Sequence, residues 1–318
     1  MNEEIAVSVI CNAYNHEAYI RDTLEGFVMQ KTNFLFEILV HDDASTDNTA
    51  DVIREYEEKY PELIKPIYQT VNQYSQGIPI SKTFQFPRVR GKYIALCEGD
   101  DYWIDPHKLQ KQYDAMEKHP EVDVCAHKSI MVNAETKEKI MDIAPAKEDT
   151  VLSVEEVIAG GGGFVSTNSL LYRFQINNNI PEFRKFLGLD YTLQIHSSLR
   201  GGMLYLNDCM SAYRAAAKDS WTSKMASQPD KLIKHGKKII KMLEILDKST
   251  EYKYFETIEK KALQIKTKSI NTKVLAGYPL EKEDYKVIRK MKLKSKIKVL
   301  LRLKFPALAE RLKKKARK

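Results

Sequence analysis

Short apolar runs alternate with amphipathic stretches through the first half of this chain. Residues 5–11, IAVSVIC, read as a buried strand. Within residues 17–29, Ile20, Leu24, Phe27 and Val28 recur at three and four, the spacing of one helix face. FEILVHDD predicts a second strand that ends at His41. Ser45 or Thr46 is placed to cap a following helix whose Val52, Ile53 and Tyr56 face inward. LIKPIYQ predicts a third strand, and its Pro66 suits an edge position. Residues 84–89 read as helical, residues 93–97 as a strand, and Asp105-Pro106 as a helix start. VDVCAHKSIMV predicts another strand. This alternation points to right-handed βαβ crossovers and a mostly parallel sheet.

The second half is less regular. Ser153 and Glu156 have capping-box spacing. FVSTNSLLYR after Gly160 to Gly163 reads as a strand, and a helix is expected from about Asp190 to the stop at Gly201-Gly202. MLYLND predicts a short strand, and from about Asp230 the pattern is helical to the end.

Composition changes this picture in three ways. The chain has 318 residues, 43% hydrophobic and 30% charged, which fits a globular protein with a substantial core. No apolar run approaches the length that crosses a bilayer, and the acidic opening Met-Asn-Glu-Glu does not read as a secretory leader. Cys11, Cys97, Cys125 and Cys209 are widely spaced, so free thiols in a reducing compartment are expected. The net charge of +8 is uneven: residues 286–318 carry fifteen Lys or Arg against Glu310, or +14, which leaves −6 for the rest.

Ligands of open α/β sheets sit beyond the carboxyl ends of the strands. Three predicted strands end in polar or acidic runs: Asn12-Ala13-Tyr14-Asn15; Asp42-Asp43-Ala44-Ser45-Thr46-Asp47; and Glu98-Gly99-Asp100-Asp101, followed by Tyr102 and Trp103. Each alone reads equally well as a turn or cap. One parallel sheet would bring all three to a single edge. Carboxylates crowded at the end of a core strand cost stability unless a cation or a solvent cleft absorbs their charge.

In this order the three motifs resemble those of inverting glycosyltransferases of family two, strongly over residues 5–130 and more weakly to about residue 222. The resemblance implies the GT-A fold, a Rossmann-like, mostly parallel sheet flanked by helices. It implies a catalytic domain over residues 1–225 and a helical extension over residues 226–318. The implied reaction moves a sugar from a nucleotide-diphosphate sugar, UDP-linked, to a glycan or lipid-linked glycan hydroxyl in bacterial surface-polysaccharide synthesis. The implied cofactor is Mn²⁺ or Mg²⁺, and hard carboxylate oxygens suit either ion.

The resemblance also implies roles for individual residues. Asp101 would be the metal ligand, and Asp100 would lie near ribose or sugar. Tyr14 would stack on the base, Asn12 would contact it, and Asp43 would accept from its imide N–H. Asp190, in FLGLDYTLQIHSSLRGG, would be the general base; an aspartate there reads also as a helix cap. His196 reads as a structural histidine, and Asp42 as a cap. Lys82 and Arg88 are candidates for phosphate contact or for plain surface positions. Tyr213, Arg214 and Trp221 match a loop that closes over the diphosphate. Ala215, Ala216 and Ala217 stand where a histidine is expected, which shifts phosphate charge onto Arg214 or Lys218. Trp103 lines the sugar pocket or packs, and the four glycines admit the acceptor or form a flexible loop.

Ile288, Met291, Leu293, Ile297, Leu300, Leu301 and Leu303 recur among lysines, which predicts one basic amphipathic helix up to Pro306. Such a helix suits an anionic membrane surface and a cytoplasmic enzyme peripheral to the inner face of the membrane. A nucleic-acid contact or an oligomerisation helix are the rival readings, and no nucleic-acid recognition motif is present. Two other function classes fit the sequence less well. A sugar-phosphate nucleotidyltransferase needs a Gly-rich basic loop after the first strand, which CNAYNHEAYIRD lacks. A non-catalytic scaffold is opposed by the intact Asp43, Asp101 and Asp190.

Overall fold

The structure is a computed structural model that describes residues 4–215 and 228–304. Ala216, Ala217, Lys218, Trp221 and the end of the basic tail lie outside the described residues. Two compact units form. One runs from the first strand to Ile180 and resumes from Leu189 through the last strand; the other holds Pro181–Gly188 and the helices from Pro229 onward.

The first unit is built on a ten-stranded mixed sheet. In chain order its elements are β1 (Ile5–Ala13), α1 (Ile20–Val28), β2 (Leu35–Asp42), α2 (Thr49–Lys59), β3 (Ile64–Tyr68), β4 (Tyr93–Leu96), β5 (Tyr102–Trp103), α3 (Lys108–Lys118), β6 (Val124–Asn133), β7 (Lys139–Ile143), β8 (Thr150–Leu152), α4 (Val154–Gly160) and β9 (Leu171–Arg173). After α5 (Glu182–Leu187), which belongs to the other unit, come α6 (Asp190–Ser198) and β10 (Met203–Ala215).

Strand order is β3-β2-β1-β4-β9-β6-β10-β5, with β3, β2, β1 and β4 mutually parallel and β9 antiparallel to both neighbours. The parallel part is where the sequence alternates most cleanly. Val7, Val9 and Cys11 of β1 are buried with Ile20, Leu24 and Phe27 of α1 and with Ile53 and Tyr56 of α2 in one core. Pro66 sits in β3 at the sheet edge, where its missing N–H costs no ladder bond. The capping box forms at α4: Glu156 N–H donates to Ser153 Oγ at 3.2 Å, and Ser153 N–H donates to Glu156 Oε2 at 2.8 Å. All four cysteines are free.

Three expectations change. Of FVSTNSLLYR only Leu171–Arg173 is strand, because the serines and Asn168 before it spend their polar groups on a buried turn. The strand begun by MLYLND does not stop: after a register shift between Leu206 and Ser211, β10 pairs again with β6 and antiparallel with β5. The bulge breaks the alternation that a sequence pattern relies on.

The third change is in the second unit, which contains α7 (Pro229–Ser249), α8 (Phe255–Leu275), α9 (Lys282–Lys290) and α10 (Leu293–Lys304). The expected single basic helix is two helices broken at Met291, whose ψ of 150° is extended. Its apolar set divides between two surroundings. Ile288 and Met291 join Ile270 and Val299 in a small core, whereas Leu293 and Ile297 are 71% and 53% exposed. No described helix is long and apolar enough to cross a membrane.

Candidate active site

Both acidic segments hang on the end of β1. Ala13 carbonyl accepts from Asp43 N–H at 2.9 Å, and Asn12 carbonyl accepts from Gly99 N–H at 3.0 Å. These bonds extend the parallel ladders one step past the strands and bring the three motifs to one sheet edge.

On the β2 side, Tyr14 is 44% exposed. Asn12 Nδ2 donates to Ser81 Oγ at 3.3 Å, which ties the helical turn Ser81–Gln85 over β1; Lys82 in that turn is exposed. The buried Asp43 carboxylate accepts backbone N–H groups from Gln73 (2.8 Å) and Tyr74 (3.0 Å) and so holds the loop after β3. Asp42 does not cap α2. Its Oδ2 accepts from Ser45 N–H at 3.2 Å, and its Oδ1 is buried without a partner. Neither Ser45 nor Thr46 caps α2: the helix starts after Asn48 without a side-chain cap bond, and Asp47 accepts from Thr49 N–H at 3.0 Å.

On the β4 side the carboxylates crowd as the sequence suggests. Burial, then the charges of Asp190 and Asp100, push the Glu98 carboxyl up to about 8. Burial and Asp100 likewise hold Asp101 well above the usual carboxylate range, even though Asp101 Oδ1 accepts Arg214 N–H at 2.9 Å. The Arg214 side chain is fully buried. Its guanidinium donates to Asp100 carbonyl at 2.7 Å, pairs with Asp22, and lies 4.4 Å from the Tyr102 ring centroid. In this structure Arg214 therefore braces the carboxylate loop from beneath.

Asp190 is the first residue of α6 and makes no capping bond; the Thr192 hydroxyl accepts Leu189 N–H instead, at 3.2 Å. Asp190 is exposed at the start of α6, although the protein packed around its carboxyl raises its pKa by desolvation. Asp190 Oδ2 accepts from Thr167 Oγ1 at 2.6 Å. Its charge also acts on Glu98 at the end of β4.

Other residues fall elsewhere. Arg88 donates to Lys65 carbonyl on β3 at 2.6 Å. Trp103 packs: it is 2% exposed, 4.7 Å from the Phe27 ring and 4.0 Å from Lys108 Nζ. His196 is half-buried within α6. Gly160 ends α4, and Gly162 and Gly163 are exposed.

Sequence reasoning gave no role to Glu98, His16 or Thr167. A Cβ at Gly99 would meet His16 Nδ1 at 2.7 Å, so only glycine lets the histidine ring reach the loop. That nitrogen is buried and unpartnered, and burial lowers the pKa of the ring. Proximity to Tyr14 and Asn15 was the signal available for His16.

Among the described residues no three His, Cys, Asp or Glu side chains form a ready metal cage. The donor set still fits a hard divalent ion. Asp100 and Asp101 are consecutive carboxylates, and Asp101 and Glu98 are raised first by burial and then by neighbouring carboxylate charge, a cost that such an ion would relieve.

The sequence model of the family described as Glycosyl transferase family 2 matches residues 8–187, more than half of the chain. An uncharacterised protein of Mycobacterium tuberculosis is 38% identical over 218 residues, covering 68% of this chain and 61% of that protein's own length. The Escherichia coli UDP-Glc:alpha-D-GlcNAc-diphosphoundecaprenol beta-1,3-glucosyltransferase WfaP is 34% identical over 111 residues, 35% of this chain and 41% of its own. Among solved structures, S. aureus TarS 1-349 in complex with UDP-GlcNAc superposes with a TM-score of 0.57 at 16% identity, covering 94% of this chain and 87% of that one. The mannosyltransferase PcManGT of Pyrobaculum calidifontis, in complex with GDP-Man and Mn²⁺, gives 0.53 at 14% identity over 95% and 85%. At such identities these structures establish the GT-A fold.

Proposed function

The chain belongs to glycosyltransferase family 2, and from that premise we propose that it is an inverting transferase that uses a UDP-linked sugar and a lipid-linked glycan acceptor. One observation carries the reading. The Asp43 and Gly99 N–H groups both bond to the end of β1, which brings the motifs around Tyr14, Asp43 and Asp100-Asp101 to one sheet edge, where ligands of such sheets sit.

The exposed Tyr14 ring is free to stack on uracil beside Asn12, and Asp43 supplies an acceptor for the imide N–H once its loop adjusts. Lys82 reaches the phosphates from the turn above β1. Asp101, with Asp100 beside it toward ribose or sugar, would hold Mn²⁺ or Mg²⁺ together with diphosphate oxygens and water. When bound, that ion supplies Lewis-acid stabilisation of the departing diphosphate. Arg214 keeps the loop in shape from below. Asp190 takes the proton of the acceptor hydroxyl as its oxygen bonds to the anomeric carbon and the nucleoside diphosphate leaves with the electron pair. A single in-line displacement inverts the anomeric centre.

The staphylococcal structure holds UDP-GlcNAc and the E. coli relative is named for UDP-Glc, which supports a UDP donor. The diphosphoundecaprenol in the latter name supports a lipid-linked acceptor and a bacterial surface-glycan setting. Leu293 and Ile297, exposed among the lysines of α10, suit a peripheral site on an anionic membrane.

Thermal-shift titration with UDP-GlcNAc, UDP-Glc and GDP-Man tests the donor. A UDP-sugar near one hundred times its Kd should add about 2.7 kcal/mol of stability. Indifference to every UDP-sugar would refute the donor assignment. The membrane part predicts that the full chain co-sediments with phosphatidylglycerol vesicles, less with phosphatidylcholine, and less again at high salt. Recovery in the supernatant with both lipids at low salt would remove it.

A further inference from the structure

We propose that Thr167 is a positioning residue that fixes the Asp190 carboxylate for proton transfer through the hydroxyl it presents from a rigid buried turn. The inference rests on Asp190 being the base, as proposed above.

The turn is over-determined without Thr167. Its neighbours Ser166, Asn168 and Ser169 are buried, whereas Thr167 is half-buried. Asn168 Oδ1 accepts hydroxyls from Ser166 (2.7 Å) and Ser211 (2.8 Å), and Asn168 Nδ2 donates to Ala212 carbonyl at 2.9 Å. Ser166 Oγ and Ser129 Oγ share a bond of 2.7 Å, and Ser169 Oγ donates to Ser166 carbonyl at 2.7 Å. The turn is thus pinned to β6 and β10 by bonds in which the Thr167 hydroxyl has no part. That hydroxyl is spent on Asp190, across 23 residues of chain.

The same turn is tied to the carboxylate loop. Trp103 Nε1 donates to Asn168 carbonyl at 3.0 Å, two residues past Asp101. Ala212 lies two residues before Arg214, whose N–H holds Asp101. One hub therefore sets the separation between the base and the donor-binding edge. An O–H donor on a carboxylate also favours its charged form, so Thr167 opposes the burial that raises Asp190. The titratable group at the β4 end that feels the Asp190 charge is Glu98.

The test compares Thr167→Val, Thr167→Ser and Asp190→Asn in the full chain, measuring UDP release from UDP-GlcNAc and UDP-Glc with water as acceptor. Thr167→Val should lower kcat about ten- to a hundredfold, leave the donor KM within about twofold, and move the acid limb of the pH profile upward. Thr167→Ser, which keeps the hydroxyl, should restore most of the rate. In an Asp190→Asn background Thr167→Val should change nothing further.

An unchanged kcat and pH profile in Thr167→Val, with Asp190→Asn inactive, overturns the inference and leaves the base assignment standing. Full activity in Asp190→Asn removes the base assignment itself. If Thr167→Val folds poorly, Thr167→Ala makes the same comparison; failure of Thr167→Ser to rescue either variant also counts against the inference.

Discussion

Asp190→Asn will release UDP about 10³-fold more slowly than the native chain, the range that general-base catalysis contributes, while UDP-sugar still raises its melting temperature as before. The substitution is nearly isosteric, and the amide oxygen still accepts the Thr167 hydroxyl now 2.6 Å away. Helix α6 does not depend on the aspartate, because Thr192 satisfies the free N–H of Leu189. Only the capacity to take a proton is lost. A rate within tenfold of native, with acceptor and donor saturating, would assign the base elsewhere, and Glu98 would be next to examine.

Asp101→Asn is expected to lose the metal-dependent part of donor binding and to cost at least about a hundredfold in turnover. The native chain should gain a few degrees more from UDP-sugar with Mn²⁺ than without, since 1 kcal/mol shifts the melting temperature of a unit of about 150–250 residues by about 2–4 °C. In Asp101→Asn the two curves should coincide. The metal-free variant should be no less stable than native. Its Oδ1 still accepts Arg214 N–H, and a neutral amide avoids the burial of charge, and the repulsion from Asp100, that hold the native carboxyl high. The sign with pH follows: a cation competes with a proton at Asp101, so the Mn²⁺ increment in the native chain shrinks as pH falls. A Mn²⁺ increment that survives the substitution would move the metal away from Asp101.

Much of this was readable along the chain. The strand–helix alternation of the first part and the edge role of Pro66 follow from local periodicity, and the capping box at Ser153 follows from spacing. The family assignment follows from three short motifs. Other features were hidden for specific reasons. The bulge in β10 changes which face each residue takes, so MSAYRA resembled a loop although it pairs with β6 and β5. STNS carries strand-compatible residues, but their polar groups find partners on β6, β10 and Trp103. The apolar positions of the basic segment look like one stripe until the break at Met291 sends them to two environments.

By itself the sequence determined the element order and the supply of carboxylates at strand ends, because strand and helix periods and turn chemistry act over a few residues. Only the tertiary structure decided that Arg214 braces the carboxylate loop, that the Asp190 charge reaches Glu98, and that Thr167 holds Asp190. Those are interactions between residues from 23 to 192 positions apart, governed by burial and pairing that no local pattern encodes.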